Sequence, residues 1–410
     1  MGMSASTVSV ATEQAGEQAG SRAPARNMER IGSIDLMRGI VMIIMAIDHV
    51  RDFFNPFADP TDLSQASAGL FLTRWITHYC APTFVFLAGT SAYLYGRSKG
   101  LGRAEVQRFV LTRGLWLVLL ELTVISFSWR FDFNGLSIQV IWALGWSMVI
   151  LSLLLYLPLP AIVAVGAVLV FGHNLFDGVH FKTFVDSSPA EAWAYAMAHE
   201  PHFVTLQSSY QIFLLYPLVP WCGVMALGYG FGALLQLPRP QRERWMQGLG
   251  LGAIALFLLL RLSNVYGDAQ LWGTNPRGPL YTVLNALNVT KYPPSLQYLL
   301  MTLGPVLLLL PLLERWRGAM ADRITVFGRV PFFFYLLHLP LIHLAALIGA
   351  ELVYGVPPTL GGGHPPPGYE PSLLRVYLVW AAVILVLYPL CRWYADYKAR
   401  HKDYWWLSYL

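Results

Sequence analysis

The sequence predicts an all-α fold: a polytopic transmembrane helix bundle of about ten spans with both termini in the cytoplasm. Three observations predict it. The chain of 410 residues is 56% hydrophobic and only 12% charged, about half the charge of a soluble domain, so lipid must solvate much of its apolar surface. The apolar residues fall in runs near the ~20 residues that cross a bilayer. Lys and Arg collect in almost every second loop between those runs, the charge bias of cytoplasmic segments.

Residues 1–30 are rich in Ala, Ser, Gln, Glu and Gly and lack an apolar h-region, so they read as a disordered cytoplasmic tail and not as a cleaved signal. Met1-Gly2 with Ser6 loosely fits a myristoylation signal. Spans are expected at 36–54, 69–96, 107–129, 136–157, 159–176, 210–236, 246–266, 293–313, 326–352 and 372–394. Leu157-Pro158-Leu159-Pro160 separates the fourth from the fifth as a tight turn, because Pro cannot continue the backbone ladder. Residues 177–209 form the longest polar excursion, in which Pro189–Met197 has the length of a short interfacial helix. Gly361-Gly362-Gly363-His364-Pro365-Pro366-Pro367-Gly368 reads as a stiff outer loop, and residues 395–410 as a basic, aromatic cytoplasmic tail. One transmembrane domain therefore occupies 31–394.

Orientation follows from the loops. Arg22, Arg26, Arg30 and Arg38 precede or open the first span, and Arg97, Lys99 and Arg103 follow the second. Arg239, Arg242 and Arg244 follow the sixth, Arg315, Arg317 and Arg323 the eighth, and Lys398, Arg400 and Lys402 the tenth. The alternate loops carry Asp59, Asp62, Asp132, Asp177, Asp186, Glu191, Glu200 and Asp268. Cys80, Cys222 and Cys391 all fall in spans without a CxxC spacing, so neither a disulfide framework nor a zinc site is implied. The net charge of +5 belongs to the cytoplasmic loops; no basic cluster interleaved with aromatics suggests nucleic acid.

Ionisable residues inside spans cost at least ~2.5 kcal/mol each at mid-membrane and are functional candidates by default. The first span holds Asp48 and His49, with Arg51 and Asp52 one turn on; the second holds Arg74 and His78, four apart and so on one helix face. Arg113 and Glu121 lie in the third span, His173 in the fifth, and His338 and His343 in the ninth. At ~1.5 Å per residue, Asp48, His49, Arg74, His78, Glu121 and His338 share one layer from the midplane outward. Each also fits a packing role: Asp48 with Arg51, or Arg74 with Glu121, as structural ion pairs. His338 fits an interhelical hydrogen bond, and His173 and His343 fit wet helix ends. On the cytoplasmic side Arg38, Arg108 and Arg113 make a patch suited to a polyanion such as coenzyme A, and equally to the ordinary positive-inside signal.

The segment SIDLMRGIVMIIMAIDHVRDFF, followed by WITHYCAPTFVFLAGTSAYL, resembles the opening of the heparan-α-glucosaminide N-acetyltransferase catalytic-domain family, and GRVPFFFYLLHLPLIH resembles a late helix of it. The resemblance is strongest over residues 30–96. It implies transfer of an acetyl group from cytoplasmic acetyl-CoA, or another acyl-CoA, to an amino sugar, glycan or lipid-linked sugar on the far side. It places the chain in a plasma or bacterial inner membrane. The animal lysosomal enzyme uses a histidine after its first helix, assisted by an asparagine late in that helix. Here His49 matches the asparagine, and the stretch from Asn55 to Thr73 has no histidine, so the resemblance moves the base to His49 or His78. Asp35, Arg38, Pro82 and Gly89 match the family framework.

Acyl transfer needs a base that takes a proton as the acceptor attacks a thioester, and histidine suits that near neutral pH. Asp48 and His49 diverge by about 100° around a straight helix, so they are not a simple dyad. The expected site is therefore His49, Asp48, His78, Glu121 and His338 for catalysis, Arg74 for the acceptor, and Arg38, Arg108 and Arg113 for the acyl-CoA, with no metal. Expected partners are membrane lipid, the sugar acceptor and a further copy of the chain as a homo-oligomer, and no nucleic acid. A proton-coupled transporter using the Asp/His/Glu layer as its relay, or a scaffold whose polar residues fix packing, also fits the residues. The absence of an internal repeat weighs against the transporter.

Overall fold

The computed structural model describes residues 32–56, 59–185, 188–206, 209–355, 365–401 and 403–408. The polar tail over 1–30 and Gly361–His364 of the Gly/Pro-rich loop lie outside them. The described chain is mostly helical, and six of its helices are long and apolar enough to cross a bilayer.

The chain begins with α1 (Gly32–Phe54), α2 (Ala68–Thr77) and α3 (Cys80–Lys99). The expected second span is thus two helices: α2 stops at Thr77 with His78 as its C-cap, and α3 restarts at Cys80. This corrects the placement of Arg74 and His78 on one uninterrupted helix. Next come α4 (Arg103–Leu120), a π-helical stretch over Glu121–Ile125 and α5 (Ser126–Arg130), together one 28-residue rod. Strand β1 (Gly135–Ile138) precedes α6 (Val140–Leu154), and α7 (Leu159–Gly172) ends in a 3-10 turn over His173–Phe176. The excursion holds α8 (Lys182–Val185), α9 (Pro189–Ala198, where the sequence predicts a short helix) and β2 (His202–Thr205). Strand β3 (Gln211–Leu214) leads into α10 (Leu218–Leu234). It pairs parallel with β1 and antiparallel with β2, giving a small sheet of order β1-β3-β2.

The rest is α11 (Arg239–Ser263), α12 (Pro279–Leu287), α13 (Leu296–Arg315), α14 (Ala319–Arg329), α15 (Pro331–Tyr354) and α16 (Leu373–Arg400). Only six of the described helices meet the length and apolarity of a span, for local reasons. The runs at 136–157 and 210–236 surrender their first residues to β1 and β3, leaving apolar helices of 15 and 17 residues. In α1 the apolar run is interrupted by Asp35, Arg38, Asp48, Arg51 and Asp52.

Small residues bring the site-bearing helices together, as expected where lipid supplies no hydrophobic drive between helices. A Cβ at Gly89 of α3 would stand 2.1 Å from Met225 O, and one at Gly228 of α10 would stand 2.0 Å from Phe86 O. Thr90 Oγ1 donates to Gly228 O across the same contact at 2.9 Å. On the other side of the bundle, a Cβ at Gly328 of α14 would meet Asp35 O of α1 at 1.7 Å. Helix α1 therefore runs through the protein interior, with 16 of its 23 residues buried.

Candidate functional site

Two histidines 289 residues apart meet at the centre of the site. His49 Nδ1 lies 2.6 Å from His338 Nε2, with the rings stacked at 4.9 Å between centroids. His338 Nδ1 lies 2.7 Å from Tyr335 O and 3.1 Å from Phe334 O, the carbonyls of the preceding turn of α15. Those partners assign the tautomers. A carbonyl only accepts, so His338 Nδ1 carries the proton and its Nε2 is a lone pair. His49 Nδ1 must then donate to that lone pair, which leaves His49 Nε2 as an unprotonated, basic nitrogen. Trp129 and Tyr335 stand edge-on to the His49 ring at 5.0 and 6.2 Å between centroids.

Beside this pair lies a buried ionic cluster. Asp48 Oδ1 accepts from Arg51 at 2.9 Å, and its Oδ2 accepts from Arg74. Arg51 also bonds Asp52 at 2.6 Å. The Lys291 ammonium approaches Asp48 Oδ2 at 3.8 Å, and all the members but Asp52 have side chains no more than 12% exposed. Three cations face two carboxylates, so the chamber holds a surplus positive charge. Arg74 thus pairs with Asp48 and not with Glu121, the partner that depth alone would equally allow.

The loop before α13 delivers Lys291, and Asp268 holds that loop in place. Its carboxylate accepts from Thr290 N, Thr290 Oγ1 and Ser295 Oγ at 2.9, 2.7 and 2.7 Å. Arg261, 2% exposed, donates to the carbonyls of Gln270, Asn285, Ala286 and Asn288 at 2.7–2.9 Å. Tyr292 follows Lys291 and reaches the Tyr216 hydroxyl at 3.5 Å. Burial raises the Tyr292 phenol, but the Lys291 and Arg74 cations outweigh it and hold the group below its ordinary value. Sequence reasoning misses Lys291 and Tyr292 because they precede the expected span, in a segment without periodicity.

His78 is 2% exposed, 5.4 Å from the Tyr298 ring by centroids, with its Nδ1 unpartnered and its carbonyl accepting from the Tyr298 hydroxyl at 2.8 Å. Glu121 is fully buried and accepts from Gln139 N at 2.6 Å. It thus sits at the N-terminus of α6, and no ion pair joins it to the cluster around Asp48 among the described residues. His343 is buried, bonded to Ser128 O at 2.9 Å, and His173 is 2% exposed. Neither is the wet helix-end histidine expected: His343 packs against Phe53 and Phe131, and His173 against His199.

A cavity of about 370 Å³ adjoins the site through Tyr335. Arg38, Arg113 and Ser91 line it together with apolar residues including Met42, Phe109 and Leu144, and Tyr335 is part of its wall. Arg38 is fixed by Ser91 Oγ at 2.8 Å and Asp35 at 3.2 Å. Arg108 is exposed and does not line the cavity. Tyr335 is therefore shared: one part of the residue walls the cavity, its carbonyl anchors His338, and its ring lies against His49.

The chain matches the family described as heparan-alpha-glucosaminide N-acetyltransferase, catalytic, over residues 30–261, more than half its length. The matched segment contains Asp48, His49, Arg74, His78, Arg113 and Glu121; Lys291 and His338 lie beyond it. No curated protein matches the chain.

Proposed function

Because the chain belongs to the heparan-alpha-glucosaminide N-acetyltransferase catalytic family, we propose that it is a multi-pass acyltransferase of a plasma or bacterial inner membrane. It carries an acyl group from cytoplasmic acyl-CoA to the amine or hydroxyl of a sugar on the outer side. The family gives no support to proton-coupled transport. Ten spans with both termini inside follow if α1, α3, α6 and α10 join the six long apolar helices, which agrees with the loop charges.

The observation that carries the reading is the Tyr335–His338–His49 chain, which leaves His49 Nε2 as a lone pair and is built on Tyr335, a residue of the cavity wall. The acyl-pantetheine arm occupies the apolar cavity, with Arg38 and Arg113 placed toward the phosphates of the donor. The acceptor enters from the chamber of Arg74 and Lys291. His49 Nε2 takes the proton from the acceptor nitrogen or oxygen as that atom attacks the thioester carbonyl. The new C–N or C–O bond forms, the C–S bond breaks, and coenzyme A leaves as a thiolate that is protonated at the cytoplasmic side. His338 is a positioning residue, and Asp48 holds the chamber's cations in place. The test is acetyl transfer from labelled acetyl-CoA to a glucosaminide by the purified protein. Acetyl-CoA binding without transfer to any amino sugar or glycan would refute the acceptor class, and no binding would refute the donor.

A further inference from the structure

A second cluster of chemistry-bearing side chains stands apart from His49. His173, Asp177 and His199 each offer one ligand atom, and these atoms all lie within 4.8 Å of one another. His173 opens the 3-10 turn that ends α7, Asp177 closes that turn, and His199 caps α9. His199 Nε2 is 3.2 Å from Asp177 Oδ1, while the other Asp177 oxygen accepts from Asn174 Nδ2 at 2.8 Å. His173 is 2% exposed, and neither of its ring nitrogens has a hydrogen-bond partner. A buried neutral imidazole carries one donor and one lone pair, and native proteins seldom leave both unmet.

We propose that His173, Asp177 and His199 form a zinc-binding site. Two imidazoles and a carboxylate are a familiar zinc donor set, with a fourth position left for water. Metal–nitrogen bonds of about 2.0–2.1 Å in a tetrahedron set donors about 3.4 Å apart. The His199–Asp177 separation of 3.2 Å already meets that, and the remaining separations, none above 4.8 Å, close by side-chain rotation. Asn174 orients the carboxylate as an outer-shell partner. The scaffold is preorganised: the Tyr195 hydroxyl of α9 donates to Phe176 O at 2.9 Å and Val179 O at 2.6 Å, seating α9 on the turn.

The ion would fasten the polar excursion to the end of α7. From there the connection reaches the site, because Asn174 Oδ1 accepts from Leu296 N at 2.9 Å, one residue after Ser295 of the loop that carries Lys291. Only His173 and Asp177 are close in sequence; His199 comes after α8 and α9, so no compact spacing announces the set.

The test uses the full chain purified in detergent, stripped with chelator, desalted and titrated with zinc chloride alone. About one zinc per chain should be retained after desalting, and zinc should raise the thermal midpoint of the stripped protein. His173→Ala and His199→Ala should each weaken zinc affinity at least ~10-fold and lose the thermal shift. His180→Ala, at an exposed histidine outside the set, should change neither. Retention below about a tenth of an equivalent by the wild-type chain overturns the proposal, and that measurement does not depend on how the variants fold. Undiminished binding in the folded His173 and His199 variants overturns it too.

Discussion

Replacing His49 is the most searching test of the proposed chemistry. His49 is 8% exposed and donates through Nδ1 to His338 at 2.6 Å. Removing a general base typically costs about 10²–10⁴ in rate, or about 2.7–5.5 kcal/mol of barrier at ~1.36 kcal/mol per tenfold. His49→Ala should therefore lower kcat for acetyl transfer by at least ~10²-fold while acetyl-CoA binding, measured by calorimetry, stays within a few-fold of wild type, because the cavity walls are untouched. The substitution also strands His338 Nε2, a structural cost of about 1–3 kcal/mol, so thermal unfolding is recorded alongside. His49→Gln separates the two effects: its amide keeps a donor for His338 but cannot take up a proton. Equal loss in the Gln and Ala variants, with stability recovered only in Gln, is the expected result. Near-wild-type turnover in the Gln variant would refute the base assignment and return His49 to a positioning role, with His78 as the next residue to test.

Four further outcomes follow. His338→Ala frees His49 to take either tautomer, so kcat should fall less than in His49→Ala, about 5–30-fold for the loss of a ~1–2 kcal/mol buried hydrogen bond, as read by the same transfer assay. Arg113→Ala should weaken acyl-CoA binding more than Arg103→Ala, because Arg113 lines the cavity whereas Arg103 is exposed and bonded to Tyr156 O; equal dissociation constants would reduce the patch to a topology signal. Asp48→Asn leaves Arg51, Arg74 and Lys291 facing one another and should destabilise the protein by about 3–5 kcal/mol, the usual cost of removing one partner from a buried ion pair, seen as a large drop in thermal midpoint. Lys99→Cys should react with a membrane-impermeant thiol reagent only in inverted vesicles and Lys182→Cys only in intact cells, against a low background since Cys80, Cys222 and Cys391 are buried; labelling of position 99 from outside would reverse the orientation.

By itself the sequence determined the solvent and the periodicity. With 12% charge and long apolar runs, helices in lipid are the structure that satisfies the backbone. The depth rule placed Asp48, His49, Arg74, His78 and His338 in one layer, because helix rise converts residue number into height. It could not give rotation about each helix axis. Rotation brings His49 and His338 within 2.6 Å and turns Glu121, at similar expected depth, toward the N-terminus of α6 instead. Nor could it show that apolar runs beginning at 136 and 210 open as paired strands, since a short apolar stretch suits strand and helix alike and only a partner strand decides. Lys291, held by Asp268 and Arg261 through loop carbonyls and hydroxyls, and the His173–Asp177–His199 group exist only where distant segments fold back on one another. Their ligand and ion-pair distances depend on tertiary packing, a quantity that no local spacing encodes.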